Sequence, residues 1–99
     1  MAWFRLSPEA EAELNDIWLY VARESGSIGI GNRLIDSITE RFWLLAQHPR
    51  IGRPRDDLRP GLRSFALGEY VIIYRIESED TLILHVMRGS RDIATLLGD

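Results

Sequence analysis

Arginine is the residue type in this chain whose number and spacing point most clearly to chemistry. All twelve basic residues are Arg, none is Lys, and five of them fall within fourteen residues. A guanidinium group binds phosphate or carboxylate through paired hydrogen bonds. The cluster therefore predicts a surface for nucleic-acid phosphates or an acidic protein, unless its members pair with local acids in a solvated loop. The five are Arg50, Arg53, Arg55, Arg59 and Arg63.

Two histidines offer a weaker signal. His48 precedes Pro49 in a loop, which favours a role in the turn. His85 lies inside a strand pattern and could act as a general acid or base, although a half-buried structural histidine is the commoner arrangement there. Asp56 and Asp57 are interpreted as partners of neighbouring arginines in loop ion pairs.

The sequence contains no motif for a metal or a cofactor. It has no cysteine, which excludes disulfides, thiol catalysis and cysteine-ligated metal sites. It has no glycine-rich phosphate-binding motif, and its two histidines lack metal-ligand spacing. We therefore expect neither a metal nor a cofactor.

The charge is unevenly distributed along the chain. The net charge of −3 argues against a generic nucleic-acid-binding protein. Residues 1–40 carry three Arg and seven acidic residues, a net −4, whereas residues 41–75 carry seven Arg and three acidic residues, a net +4. The basic segment is therefore the candidate for contact with an acidic target.

Composition predicts one folded domain spanning residues 1–99. The chain is 45% hydrophobic and contains three each of Trp, Tyr and Phe, enough to build a core. No segment reaches the roughly 18 apolar residues that span a bilayer, and the N-terminus lacks the pattern of a signal peptide. We expect a soluble, cytoplasmic protein.

The first half of the chain predicts a short strand followed by two helices. Residues 3–6 form a strand pattern, and Ser7 and Pro8 then provide a cap and a first helical residue. Apolar residues recur at helical spacing to about Arg23, and a second helix follows the Ser-Gly-Ser break and runs to about residue 47. Four acids are expected on the outer side of the first helix: Glu11, Glu13, Asp16 and Glu24.

The second half predicts a loop, three strands and a short tail helix. Three prolines deny regular structure to residues 48–61, and strand patterns follow at residues 62–67, 70–76 and 81–87. A short helix is expected around residues 93–97. The predicted fold class is α+β: an N-terminal strand and an antiparallel helical hairpin packed on a three- to four-stranded antiparallel sheet.

Five segments, in this order, carry a resemblance to a known family. They are residues 6–10 (LSPEA), 45–53 (LAQHPRIGR), 63–65 (RSF), 70–75 (YVIIYR) and 89–93 (GSRDI). Together they resemble the RelE/ParE superfamily of bacterial toxins from type II toxin–antitoxin modules, and the ParE branch most. The resemblance implies the fold read above and no cofactor.

The resemblance also implies a partner. It is a cognate antitoxin of the ParD-like type, with a ribbon-helix-helix DNA-binding half and a C-terminal segment that wraps the toxin at the groove of the helical hairpin. The residues expected to contact the antitoxin are Trp3, Leu14, Trp18, Ile38 and Phe42.

Two activities are implied by the superfamily, and a third outcome is an inactive member retained as a regulatory module. ParE-like toxins inhibit DNA gyrase, whereas RelE-like toxins cleave mRNA on the ribosome. The absence of Lys and of any Tyr after Tyr74 favours gyrase. The expected target-binding residues are Arg53, Arg55, Arg63, Arg75, Arg88 and Arg91, with no catalytic residue.

The nuclease alternative assigns different roles to some of the same residues. Arg63, Arg75 and Arg91 would hold phosphates, and His85 would transfer the proton. His85 precedes Val86 and Arg88 follows it, an order that departs from the pattern frequent in ParE-like chains.

Overall fold

The fold comprises two helices packed on one face of a sheet, in a computed structural model that describes residues 2–89. Arg91 and the tail helix expected at residues 93–97 lie outside the described residues. The helices are α1 (Pro8–Ser25) and α2 (Ile28–Gln47). The strands are β1 (Phe4–Leu6), β2 (Arg53–Pro54), β3 (Leu62–Leu67), β4 (Tyr70–Glu77) and β5 (Asp80–Arg88).

The start of α1 has the cap that the sequence predicts, and the predicted break at residues 25–27 supplies two further caps. The Ser7 hydroxyl accepts a hydrogen bond from the Ala10 N–H at 3.0 Å, and Pro8 opens α1. Gly26 ends α1 in the left-handed conformation, with φ of 68°, and Ser27 caps α2. The predicted helical hairpin is therefore confirmed.

The sheet differs from the prediction in two strands. Its order is β1-β5-β4-β3-β2, and β3, β4 and β5 form the predicted antiparallel meander. The count of three to four strands is wrong for this sheet, which has five, and β1 runs parallel to β5 rather than antiparallel. That pairing joins residues 77 positions apart, as in Phe4 with Thr81, so no local sequence pattern predicts it.

The loop predicted over residues 48–61 contains the other unexpected strand. Arg53 and Pro54 form β2, which pairs with β3 at the sheet edge. Proline is tolerated there because an edge strand leaves one side of its backbone unpaired. The expectation that three prolines deny regular structure to residues 48–61 is therefore wrong at β2.

The sheet is apolar on both faces at its centre. Alternate residues of β4 point to opposite sides, so Ile72 and Tyr74 pack against the helices whereas Val71 and Ile73 face away. The helix side forms the main core, with Ile38, Phe42 and Leu45 of α2. The predicted central strand, covered on at least one face, is confirmed.

No helix within residues 2–89 is long and apolar enough to cross a membrane.

Candidate functional site

The basic loop, residues 48–63, is anchored by one buried phenol. Tyr74 is fully buried; its hydroxyl donates to the Pro49 carbonyl at 2.6 Å and accepts from the Gly52 N–H at 3.0 Å. Burial raises the pKa of Tyr74, so the phenol keeps the proton that it donates. A Cβ atom at Gly52 would lie 2.2 Å from the Tyr74 oxygen, so this position has room only for glycine.

Arg63 is a second anchor of the same loop. Its Nη1 donates to the Gly52 carbonyl at 2.7 Å and to the Arg50 carbonyl at 3.3 Å. The Arg55 N–H also donates to the Leu62 carbonyl at 2.7 Å, next to the short β2–β3 ladder. Arg63 therefore holds the backbone that presents Arg50 and Arg53, both of which are exposed.

The tip of the loop is closed by its own acidic residues, and the predicted ion pair with a neighbouring arginine is confirmed for Asp57. Arg55 Nε lies 3.1 Å from Asp57 Oδ1, and the Asp56 carboxylate accepts from the Gly61 N–H at 2.9 Å. The hydrogen bond from Arg55 lowers the pKa of Asp57 below its usual value. The charge of Arg55 is therefore engaged within the loop, whereas Arg53 makes no ion pair with any described residue.

Arg75 lies on the sheet face away from the helices and is also engaged. It pairs in register with Leu62 and Leu82, and its guanidinium forms an ion pair with Glu77. Arg5 binds the other oxygen of Glu77 at 2.8 Å. These hydrogen bonds, from Arg75 first and Arg5 second, lower the pKa of Glu77.

Arg88 belongs to another region of the surface. It pairs with Tyr70, on the helix-covered face, and its guanidinium lies 4.8 Å from the centre of the Tyr20 ring. Glu69 is 3.6 Å away. On β4, Arg75 and the residue opposite Arg88 are five positions apart, about 17 Å at strand spacing.

Of the arginines predicted to form one target-facing surface, those within residues 2–89 do not all converge. Arg53 and Arg75 share the face away from the helices, Arg63 points to the helix side, and Arg88 lies at the far end of the ladder. Strand register decides this distribution, and register could not be read from the sequence pattern of these strands.

His85 has a carboxylate partner, Glu13, which is expected on the outer side of α1. Its Nδ1 lies 3.0 Å from Glu13 Oε2, and the Val86 N–H donates to Glu13 Oε1 at 3.0 Å. Glu13 therefore faces β5 rather than the outer side of α1, and the expectation for this acid is wrong. The irregular register between Ile73 and Tyr74 on β4 accompanies this contact.

The residues expected to contact an antitoxin fall into three places. Leu14 and Trp18 line an open groove of about 420 Å³ between α1 and α2, together with Asn15, Asn32, Ile35 and Asp36. Ile38 and Phe42 are 0% and 1% exposed, so they belong to the core and not to this groove. Trp3 lies at β1, against Trp43. A helical stripe does not distinguish groove from core, because both lie on apolar sides of the hairpin.

The groove has a fixed floor. Trp18 Nε1 donates to Asn32 Oδ1 at 2.8 Å, and a Cβ at Gly31 would lie 3.2 Å from the Trp18 ring. The two helices therefore approach closely at Gly31 and hold the indole in place.

Within residues 2–89, no group of three or more histidine or carboxylate side chains is placed to hold a metal ion.

Chains from two solved toxin–antitoxin systems have this architecture. The chain is similar to one from the chromosomal ParDE toxin–antitoxin system of P. aeruginosa, with a TM-score of 0.77 over 91% of this chain and 97% of that one, at 22% identity. It is also similar to a chain of the RelBE2 toxin–antitoxin complex of Mycobacterium tuberculosis, with a TM-score of 0.63 over 88% and 96%, at 24% identity. These likenesses establish a RelE/ParE-like fold.

Sequence comparison narrows the class to one family. Residues 4–93 match the profile described as the ParE toxin of the type II toxin–antitoxin system parDE. Toxin ParE3 of Caulobacter vibrioides is 36% identical over 75 residues, which is 76% of this chain and 75% of that protein. Toxin ParE1 of the same organism is 34% identical over 90 residues, covering 89% and 93%. The chain therefore belongs to the ParE toxin family of type II toxin–antitoxin systems.

Proposed function

We propose that this ParE-family toxin inhibits DNA gyrase by direct protein contact and so blocks replication, and that a cognate antitoxin neutralises it. The observation that carries the proposal is the fixed basic loop. Arg50 and Arg53 are exposed on a backbone segment that Tyr74 and Arg63 hold in place. Charges presented by a rigid segment bind with little loss of conformational entropy. The toxin itself performs no catalytic step.

The contacts of the potential nuclease residues also favour binding over catalysis. His85 is bonded to Glu13, Arg63 donates to two loop carbonyls, and Arg75 is paired with Glu77. Arg63 lies on the helix side of the sheet and Arg75 on the opposite face, so these two groups do not face one phosphodiester. Arg91, the fourth member of the nuclease set, lies outside the described residues.

The groove between α1 and α2 is the proposed binding site of the antitoxin. Its floor is apolar, with Leu14, Trp18 and Ile35, and its rim is polar, which suits the apolar face of an amphipathic helix. The solved relatives come from a ParDE system and from a RelBE2 toxin–antitoxin complex. We infer an antitoxin of the ParD type, with a ribbon-helix-helix DNA-binding half.

The decisive experiment incubates the purified toxin with gyrase, ATP and relaxed or supercoiled plasmid. We expect dose-dependent loss of supercoiling and accumulation of cleaved DNA, both reversed by the antitoxin. Arg53→Glu should weaken inhibition about tenfold or more, because the charge at the contact is reversed. Arg23→Glu makes the same charge change in the last turn of α1 and should leave inhibition unchanged.

Two results would overturn the proposal. One is the absence of any effect on gyrase at toxin concentrations well above that of the enzyme. The other is cleavage of ribosome-bound mRNA that His85→Gln abolishes, which would establish the nuclease alternative. Retention of gyrase inhibition by His85→Gln is the result that the proposal requires.

A further inference from the structure

The basic loop exposes one large apolar side chain among its arginines. Ile51 is 49% exposed and lies between Arg50 and Arg53 in the chain. A single exposed apolar residue is common on protein surfaces and by itself indicates no function. Ile51 is distinguished from such a residue by the hydrogen bonds that hold its backbone and by the charge around it.

The backbone on both sides of Ile51 is fixed by hydrogen bonds. Arg63 donates to the carbonyls of Arg50 and Gly52, at 3.3 Å and 2.7 Å. The Gly52 N–H donates to the buried Tyr74 hydroxyl at 3.0 Å. The Ile51 N–H itself donates to the carbonyl three residues before it, at 3.2 Å. Turning Ile51 inward would break several of these bonds, so the fold keeps its side chain at the surface.

The charged residues that flank Ile51 along the chain are all positive. No acidic residue occurs between Glu40 and Asp56, and β3, which pairs with the end of this segment, contains none. The two aspartates of the loop lie at its tip, where Asp57 forms an ion pair with Arg55. Five arginines and two aspartates give the loop a net charge of +3. The surface around Ile51 therefore attracts an acidic partner.

An apolar side chain with arginines beside it matches a protein surface better than a nucleic acid. Protein interfaces combine an apolar centre with a polar rim, and arginine is enriched in them. A nucleic acid supplies phosphates for the arginines, but its exposed bases stack on flat side chains rather than on a branched aliphatic one. The complementary surface is therefore an apolar pocket next to carboxylates.

We propose that Ile51 is the apolar anchor of the toxin's contact with its target, and that the target receives this side chain in an apolar pocket bordered by carboxylates. The inference rests on the proposed function, because it takes gyrase as the target. Arg50 and Arg53 favour the encounter through their charge, whereas Ile51 contributes affinity that salt does not screen. A protein surface that has the carboxylates but lacks the pocket binds the toxin weakly.

The test measures the affinity of the toxin for purified gyrase and, in parallel, the inhibition of supercoiling. Ile51→Ala should weaken both about tenfold, because a half-exposed side chain loses most of the carbon atoms that enter the pocket. Ile51→Val removes a single methylene equivalent and should weaken both about twofold. Ile28→Ala is the matched control and should change neither, since Ile28 is 65% exposed at the start of the 20-residue α2, about 30 Å from the loop.

Salt separates the apolar contribution from the charged one. Between about 0.1 M and about 0.5 M salt, the loss of affinity in Arg53→Glu should shrink, because the Debye length shortens. The loss in Ile51→Ala should stay at about tenfold, since apolar burial is not screened. The Tm of Ile51→Ala and the hydrogen exchange of its Gly52 amide should equal those of the wild type, because the deleted atoms make none of the loop's hydrogen bonds.

Several results would overturn the inference while gyrase inhibition by the wild type stands. They are wild-type affinity in Ile51→Ala, an equal loss in Ile28→Ala, a loss that high salt abolishes, and faster exchange at Gly52, which would make Ile51 a support of the loop. Self-association of the toxin that Ile51→Ala abolishes would assign this surface to a second copy, whose residues 1–40 carry a net charge of −4. A wild-type toxin that neither binds nor inhibits gyrase would overturn the proposed function and this inference together.

Discussion

The basic loop and the helical hairpin are attached to the same sheet by different kinds of interaction. The hairpin is held mainly by burial of Ile38, Phe42 and Leu45, large apolar side chains that are at most 1% exposed. The loop rests on a few hydrogen bonds centred on Tyr74 and Arg63. Burial tolerates small displacements, whereas hydrogen bonds depend on position and direction. The loop should therefore respond to changes in single polar atoms and in the space around them, whereas the hairpin should respond to the loss of apolar volume.

The largest expected difference in stability is between a glycine-to-alanine substitution in the basic loop and the same substitution in the helical hairpin. Gly52→Ala would place a Cβ 2.2 Å from the Tyr74 oxygen, so the loop or the ring must move and the hydrogen bonds are lost. We expect a loss of about 2–4 kcal/mol in the free energy of unfolding, measured by urea denaturation. Gly29→Ala in α2 meets only Ser27 at 3.6 Å and should stabilise the protein by up to about 1 kcal/mol. Equal changes in the free energy of unfolding for the two variants would contradict the difference between loop and hairpin.

Removing one oxygen tests the loop anchor alone. Tyr74→Phe keeps the ring in the core but leaves the Gly52 N–H and the Pro49 carbonyl without this partner. We expect a cost of about 1–3 kcal/mol and faster hydrogen exchange at the Gly52 amide. Tyr20→Phe, at a 46% exposed position on α1, should change stability by less than about 0.5 kcal/mol. Unchanged exchange at Gly52 would show that the loop has another anchor.

Glu13 tests whether the hairpin also needs a polar contact. Glu13→Ala removes the acceptor of the Val86 N–H and the partner of His85. A loss of about 1–2 kcal/mol is expected, because the N–H of a buried residue loses its acceptor. Asp16→Ala, an exposed acid one turn away, should stay within about 0.5 kcal/mol of the wild type. A similar cost for both variants would argue that Glu13 acts only through net charge.

The smallest expected effect concerns the surface ion pairs that Glu77 makes with Arg5 and Arg75. These pairs attach neither the loop nor the hairpin to the sheet. The pKa of Glu77 is lowered in the folded state, so its ion pairs stabilise the fold above the ordinary carboxyl pKa of about 4.3. That contribution is lost as the pH falls through the folded-state pKa. Glu77→Gln should therefore flatten the acidic side of the Tm–pH curve slightly, and 1 M salt should have the same effect on the wild type. A Tm curve identical to that of the wild type at all pH values would contradict this prediction.

Much of the fold was determined locally and could be predicted from the sequence. Ser7, Pro8, Gly26 and Ser27 define the ends of the hairpin through contacts within a few residues. Alternating apolar residues and short turns predict β3, β4 and β5 for the same reason. The family was also readable, because its segments occur in order along the chain, as the profile match over residues 4–93 confirms.

The tertiary structure alone decided where the side chains that matter would meet. The pairing of β1 with β5 and the contact between Glu13 and His85 join residues more than 70 positions apart. The separation of Arg88 from Arg75 follows from strand register, and the burial of Ile38 and Phe42 from the packing of α2 on the sheet. Caps and periodicity are properties of neighbouring residues, whereas register and packing depend on the energy of the whole chain. The helices and most of the strands could therefore be predicted from the sequence by itself. Which side chains share a surface was decided only by the tertiary structure.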